Sequence, residues 1–270
     1  MLRLVPASAF GLLATILPLA AGQLFTDCNP LNETCPPDPA FGTKHTFIFN
    51  DTQPEGTWQT TAGKVDFDPE KGAIFTVAKQ GDSPTLISNF YFFWGRTEVV
   101  MKAAPGQGIV SSIVWMSDLL DEVDWEFLGG MPENATTNYF GKGQPDFKNG
   151  GYHPLEGGVQ EDYHNYTCVW TKEKLDWYID DELIRTLLYE EANEGKNYPQ
   201  TPMKLSLGIW AGGDPTLPEG TIAWAGGETD YEAGPYSMYV KSAYVEDFST
   251  GKEYIYGDKS GSWESIEIVE

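Results

Sequence analysis

Over most of this chain, apolar and polar residues alternate in short runs, and Gly, Pro, Asn and Asp break those runs. Successive side chains of a β-strand point to opposite faces, so a two-residue period marks a strand with one buried face. Strands are predicted at Thr46–Phe49, Gly63–Phe67, Ala73–Val77, Leu86–Phe92, Arg96–Met101, Ile109–Met116, Val123–Leu128, Asn138–Gly141, Tyr163–Thr171, Lys174–Ile179, Glu182–Leu187, Met203–Ile209 and Ser237–Tyr244. Asp180-Asp181 sits between two of them and predicts a tight hairpin turn. Helical spacing is confined to one short acidic stretch, Leu187–Asn193. Roughly a dozen antiparallel strands with almost no helix predict an all-β fold. The expected form is a jelly-roll β-sandwich of two antiparallel sheets, with a concave substrate cleft across one of them.

The run Asp121-Glu122-Val123-Asp124-Trp125-Glu126-Phe127-Leu128 departs from ordinary alternation. Glu122, Asp124 and Glu126 share one strand face, while Val123, Trp125 and Phe127 share the other, which reads as core. Three like charges on one face repel each other and disfavour pairing, so a sequence that keeps them has a chemical use for them. Glycosidic bond cleavage is such a use. Retaining glycosidases hold two carboxyl groups about 5–5.5 Å apart. Residues four apart on a strand have Cα atoms about 13 Å apart. Each glutamate side chain reaches about 3.5–4 Å, so Glu122 and Glu126 leaning together come into that range. Asp124 between them can hydrogen-bond the nucleophile or hold a proton. Crowding of like charges raises at least one pKa, as a general acid near neutral pH requires. Spacing alone does not order the two glutamates.

A second strand points to the same cleft. In Met203–Trp210, Met203, Leu205, Leu207 and Ile209 form a core face, and Lys204, Ser206, Gly208 and Trp210 fall opposite. A cation, a hydroxyl and an indole suit hydrogen bonding and stacking with a sugar. Further on, Thr221 or Trp224 could line this cleft, but strict alternation would not allow both.

Length and charge set the bounds. The 270 residues suit one large β domain, taken as 23–268. Residues 1–22 read as a secretory signal peptide, with Arg3, the apolar run Ala9–Ala21 and small residues before Gln23. No other segment is apolar enough for a membrane-spanning helix. Four N-glycosylation sequons begin at Asn32, Asn50, Asn134 and Asn165, in keeping with a secreted protein. Cys28 and Cys35 bracket a Pro/Asn-rich loop and are expected to pair, closing an N-terminal segment over 23–42. Cys168, in an apolar run, reads as a buried free thiol. Residues 250–270 read as a short acidic tail. A net charge of −23 argues against nucleic acid or an anionic membrane as ligand. His45, His153 and His164 show no ligand spacing, and an acidic strand face is not a Ca²⁺ loop, so neither metal nor cofactor is expected.

The motifs together resemble a known family. Glu122-Val123-Asp124-Trp125-Glu126-Phe127 resembles the E-x-D-x-E signature of glycoside hydrolase family 16, and Gly95–Val99 with Gly106–Ser111 resembles the segment before its catalytic strand. Asp121–Gly129, Gly208–Asp214 and Gly261–Ile266 resemble, more narrowly, the fungal Crh-type cell-wall transglycosylases. The resemblance implies Glu122 as nucleophile, Asp124 as assisting acid and Glu126 as acid/base. It also implies sugar contacts at Trp210 and Thr221, with Ser206 and Lys204 as further candidates. The expected activity is cleavage of chitin by retaining double displacement and transfer to β-glucan or chitin acceptors, by a monomer in the cell wall. A lipid anchor is expected of full-length members, and its signal is not visible in residues 1–270. The competing expectations are a hydrolytic endo-β-glucanase or chitinase of the same fold and a lectin-like module without catalysis.

Overall fold

The computed structural model describes residues 26–144 and 147–270; the segment read as a signal peptide lies outside them. Among the described residues the chain forms β1 (Asp38–Pro39), β2 (Lys44–Ile48), β3 (Trp58–Ala62), β4 (Val65–Asp68), β5 (Gly72–Val77), β6 (Thr85–Ser88), β7 (Gly95–Lys102), β8 (Ile109–Ser117) and β9 (Glu122–Leu128). It continues with β10 (Asn134–Phe140), β11 (Gly151–Pro154), β12 (His164–Trp170), β13 (Lys174–Ile179), β14 (Glu182–Leu188), β15 (Met203–Ala211), helix α1 (Glu219–Trp224), β16 (Tyr236–Asp247), β17 (Glu253–Tyr256) and β18 (Ile266–Val269).

Two large antiparallel sheets make a jelly-roll sandwich. One has seven strands in the order β11-β10-β9-β8-β15-β6-β3. The other, of eight strands, runs β14-β13-β12-β7-β16-β5-β4, and β2 also pairs with β16. Strand β16 is long enough to serve two partners on one side: Tyr236–Val240 pair with β5 and Ser242–Glu246 with β2. The inner faces meet in an aromatic core in which Phe92, Trp115, Trp125, Phe127, Trp170 and Trp177 are fully buried. Truncating any one of these rings to Ala would cost about 3–5 kcal/mol. The polar edges of two indoles find partners: Trp170 Nε1 donates to the Pro199 carbonyl (2.9 Å), and Trp125 Nε1 to Cys168 Sγ (3.1 Å). Cys168 is the buried free thiol expected.

The hairpin at Asp180-Asp181 forms as predicted, with both residues at positive φ (49° and 69°) and Ile179 paired to Glu182. Three expectations need correction. Leu187–Asn193 is not helical from its start; β14 runs to Leu188, and only a single 3₁₀ turn, Tyr189–Glu191, follows. Leu187 is buried as a strand residue, so sheet burial overrides the local spacing. Residues 250–270 are not a tail: β17 and β18 join β1 in a third, three-stranded sheet. Ser262 caps a 3₁₀ turn there, and the Lys172 ammonium lies 3.9 Å from the Trp263 ring centre. Finally, Thr221–Trp224 is helix, not strand. Cys28 and Cys35 are disulfide-bonded and close a local loop, while the pairing of β1 with β17 ties the N-terminal segment to the third sheet.

Candidate active site

Strand β9 lies inside the seven-stranded sheet, with β8 on one side and β10 on the other. Its register fixes the surroundings of each acid, because directly opposed residues share a face. Glu122 stands between Phe140 and Met116, and Met116 faces Lys204 of β15. Asp124 stands between Asn138 and Val114, and Val114 faces Ser206. Glu126 stands between Thr136 and Ser112, and Ser112 faces Gly208. Val110 faces both Leu128 and Trp210. The outer face of this sheet therefore gathers Glu122, Asp124, Glu126, Lys204, Ser206 and Trp210, as alternation predicts.

The turn before β9 is held from several directions. Leu120 takes a positive φ of 68°, a conformation that costs a non-glycine residue about 1–3 kcal/mol. Asp121, fully buried, accepts hydrogen bonds from Lys142 N (2.9 Å), Gln200 N (2.9 Å) and Thr201 Oγ1 (2.7 Å), and its own N–H is bound by Ser117 Oγ (2.8 Å). Asp121 thus anchors the strand and leaves the outer face to the next three acids. At the far end, Thr136 Oγ1 donates to the Glu126 carbonyl at 2.7 Å.

Glu122, Asp124 and Glu126 are 2%, 1% and 7% exposed, so Asp124 lies deepest and Glu126 is the most open. Burial pushes the pKa of Glu122 up to about 8, with the charge of Glu126 adding to it and a hydrogen bond with Asp124 opposing it. For Asp124, burial, the charge of Glu122 and that same hydrogen bond all act upward. Both carboxyl groups are thus held above the ordinary carboxylate range, and they share a hydrogen bond. The second Asp124 oxygen, Oδ1, is buried with no protein partner. The arrangement can therefore hold a proton between Glu122 and Asp124, with Glu126 on the same face.

An aromatic wall closes one end. Trp210 of β15 and Trp224 of α1 stack with ring centres 6.1 Å apart and planes at 22°. They rest on Val110, Leu128 and Ala225. Gly212 permits this contact, since a Cβ there would sit 3.0 Å from both Ala225 Cβ and Val110 Cγ2. Because 221–224 is helical, Thr221 and Trp224 are three residues apart on one helix face and can flank the same space. Asp214, in the adjoining loop, braces that loop. It accepts from Gln80, Thr216 and Tyr231, which overcomes the upward pull of burial and holds its pKa at about 2.

At the other end lies a group that alternation did not reveal. The Lys204 ammonium sits 4.7 Å over the Tyr91 ring, and Tyr91 OH donates to Asp118 Oδ1 at 2.7 Å. Asp38, 4% exposed, joins Asp118 by a side-chain hydrogen bond. Lys204 is thus drawn towards this carboxyl pair, while the Ser206 hydroxyl has no hydrogen bond to any described residue. Among the described residues no group of three or more His, Cys, Asp or Glu is placed to hold a metal ion. His45 packs on Phe47, while His153 and His164 bond Thr137 and Asp180.

An antiparallel sandwich with three carboxyl groups in line on its outer face and an indole pair beside them defines the class: a β-jelly-roll carbohydrate-active protein. Residues 51–226 match the profile of Glycosyl hydrolases family 16, and the chain belongs to that family. It is 54% identical to Crh-like protein 2 of Botryotinia fuckeliana (strain B05.10) over 260 residues, 95% of this chain and 57% of that protein. It is also 54% identical to Crh-like protein 5 of Aspergillus fumigatus over 258 residues, 95% of this chain and 65% of that protein. The chain thus spans less than two thirds of the length of both relatives. Among solved structures, the apo Crh5 transglycosylase superposes with a TM-score of 0.86 at 54% identity, covering 89% of this chain and 100% of that one. The same enzyme in complex with NAG gives a TM-score of 0.86 at 55% identity, covering 89% and 99%.

Proposed function

We propose that this protein is a retaining transglycosylase of the cell wall that cleaves chitin and transfers the chain to β-glucan or chitin acceptors. The observation that carries the reading is the buried row of Glu122, Asp124 and Glu126 on one face of β9. In this reading Glu122 is the nucleophile, Asp124 its hydrogen-bonded partner and Glu126, the most open of the three, the acid/base. Likeness to the Crh5 transglycosylase over its whole solved chain supports transfer rather than hydrolysis, and its complex with NAG, the sugar unit of chitin, supports the donor.

In the proposed cycle Glu126 gives its proton to the glycosidic oxygen while the Glu122 carboxylate attacks the anomeric carbon. The bond to the leaving sugar breaks, and a glycosyl ester forms on Glu122. Asp124 keeps its hydrogen bond to Glu122 and steadies the carboxylate as its charge is lost and regained. Glu126, now a carboxylate, takes the proton of an acceptor hydroxyl, whose oxygen attacks the anomeric carbon; the bond from that carbon to the Glu122 oxygen breaks and frees Glu122 as a carboxylate. Trp210, Trp224, Thr221 and Ser206 would hold sugar units along the face, so that an acceptor competes with water. The working form is a monomer. The test is incubation with chitin oligomers and fluorescent β-glucan oligomers, with product masses read out. Transfer yields labelled hybrid products; labelled products that never form at high acceptor concentration would assign hydrolysis instead. Glu122→Gln and Glu126→Gln should each abolish transfer with the fold retained, and near-normal transfer by either would overturn the roles.

A further inference from the structure

On the opposite side of the sandwich, the outer face of the eight-stranded sheet carries a basic and aromatic cluster that the mechanism does not use. Tyr239 of β16 is directly opposite Lys102 of β7, and Tyr163 immediately precedes β12, whose first residue pairs with Met101. Lys102 lies 5.7 Å from the Tyr163 ring centre and 5.4 Å from that of Tyr239. Lys71 lies 5.7 Å from the Tyr239 ring centre, and Lys241 4.3 Å from that of Tyr163. Three ammonium groups therefore surround two phenol rings.

The backbone is shaped to bring them together. The pairing of β16 with β7 shifts between Val240 and Ser242, so Lys241 is the extra residue of a β-bulge. A bulge re-aims a side chain, and here it presents Lys241 outward next to Tyr239 while Val240 and Ala243 stay in the core. Lys71 comes from the β4–β5 turn. Gly72, at φ 85°, presses that turn against the bulge so closely that a Cβ would meet the Val240 carbonyl. Tyr163 OH donates to the Lys71 carbonyl at 2.8 Å and ties the turn to β12.

The charge balance makes the cluster unusual. The chain has 40 acidic and 17 basic residues, yet Lys71, Lys102 and Lys241 form no ion pair with any described residue. The Asp68 carboxylate, which accepts from the Glu70 and Lys71 N–H groups of the turn at 2.9 Å each, attracts Lys71 without forming an ion pair with it. Like charges gathered this way repel, and a cation over a half-buried ring recovers only part of that. Apart from Asp68 beside Lys71, no carboxylate among the described residues offsets them, and the three ammoniums outside any ion pair offer donors for an anion.

We infer that Lys71, Lys102 and Lys241, framed by Tyr163 and Tyr239, form a second glycan-binding site specific for acidic polysaccharide, whose sugar units carry carboxylate or phosphate. The partner is a single flexible glycan strand, not a lipid or nucleic-acid surface, because a broad anionic surface would also meet the acidic remainder of a protein of net charge −23. A single chain touches the patch alone, with the rest of the protein screened beyond about 10 Å. Such a site would hold the protein on a charged wall polymer while the carboxylate face, across the sandwich, stays open.

The test is affinity electrophoresis and calorimetry of the full chain with polygalacturonate, phosphorylated mannan and neutral mannan, and with phosphatidylserine vesicles. The expected result is salt-sensitive binding of one or both acidic glycans, none of neutral mannan, and weakening of about tenfold or more when all three lysines become Gln. The uronate and phosphate arms tell which anion is preferred. Transfer between short neutral oligosaccharides should be unchanged in the variant. Should the triple variant fold poorly, K241E alone should weaken binding at an unchanged melting temperature. Absence of binding to either acidic glycan at low salt, or lysine variants that bind as well as the unsubstituted protein, would overturn the assignment. Vesicle binding equal to glycan binding and equally lysine-dependent would overturn it in favour of a lipid headgroup.

Discussion

Asp124 offers the sharpest quantitative prediction. Its side chain is 1% exposed, shares a hydrogen bond with Glu122, and leaves its other oxygen without a protein partner. Asp124→Ala removes the one donor that lowers the Glu122 pKa. A hydrogen bond to a charged group is worth about 1.5–3 kcal/mol, so the rate of transfer should fall about 10- to 150-fold. Asp124→Asn keeps an N–H in the same place and should lose less. The two variants should also differ in pH dependence. Activity rises with pH as Glu122 ionises, and without its donor Glu122 holds its proton to higher pH. The ascending limb should therefore move to higher pH in Asp124→Ala and shift less in Asp124→Asn. The assay is kcat for transfer from a short chitin oligomer to labelled acceptor across pH, with circular dichroism to confirm the fold. A folded Asp124→Ala variant within about twofold of the unsubstituted protein would refute the reasoning. So would a large rate loss with the limb in its original position.

Further outcomes follow from other contacts. Trp224→Ala removes half of the indole stack and should raise the acceptor KM about tenfold, with a larger share of donor lost to water, read as the product ratio in mass spectra. Burial, and then the charge of Asp118, raises the Asp38 pKa from the ordinary carboxylate range to about 8, against the pull of Lys204. The folded state thus binds this proton more tightly than the unfolded state, so its stabilisation is complete below about pH 4 and is lost as pH rises towards 8. Asp38→Asn should flatten the fall in melting temperature across that window; an unchanged slope would count against it. Replacing Cys28 and Cys35 with Ser opens a short loop and should cost about 2–3 kcal/mol in chemical denaturation, with little effect on kcat. Cys168 is buried and its thiol pKa is pushed up by that burial, so alkylating reagents should leave the folded protein active.

Much of this organisation is written in local sequence, because a two-residue period and the side that faces the core are the same fact. Val123, Trp125 and Phe127 face inward and the three acids outward, as alternation alone requires. Lys204, Ser206 and Trp210 fall on the acid face for the same reason. Long-range contacts are what the sequence hides. Nothing near Lys204 announces that Asp38, from the N-terminal segment, and Asp118 would meet beside it. Short strands such as β1 and β11 carry too few residues to show a period, and β17 and β18 owe their pairing to each other and to β1. The helix at Thr221–Trp224 lasts less than two turns, and its mixed composition resembles a strand as well as a helix. Its geometry nonetheless decides whether Thr221 and Trp224 can act together.

The proposed chemistry turns on Glu122 carrying the glycosyl group between donor and acceptor. Glu126→Gln lacks the base needed to release that group, so a donor with an activated leaving group should load the enzyme and stall. Intact-mass measurement followed by peptide mapping reads the site of attachment directly. The expected result is one glycosyl ester, on Glu122, discharged by added acceptor in the unsubstituted protein. Attachment to Glu126 or to Asp124, or inverted product with no covalent adduct, would contradict it.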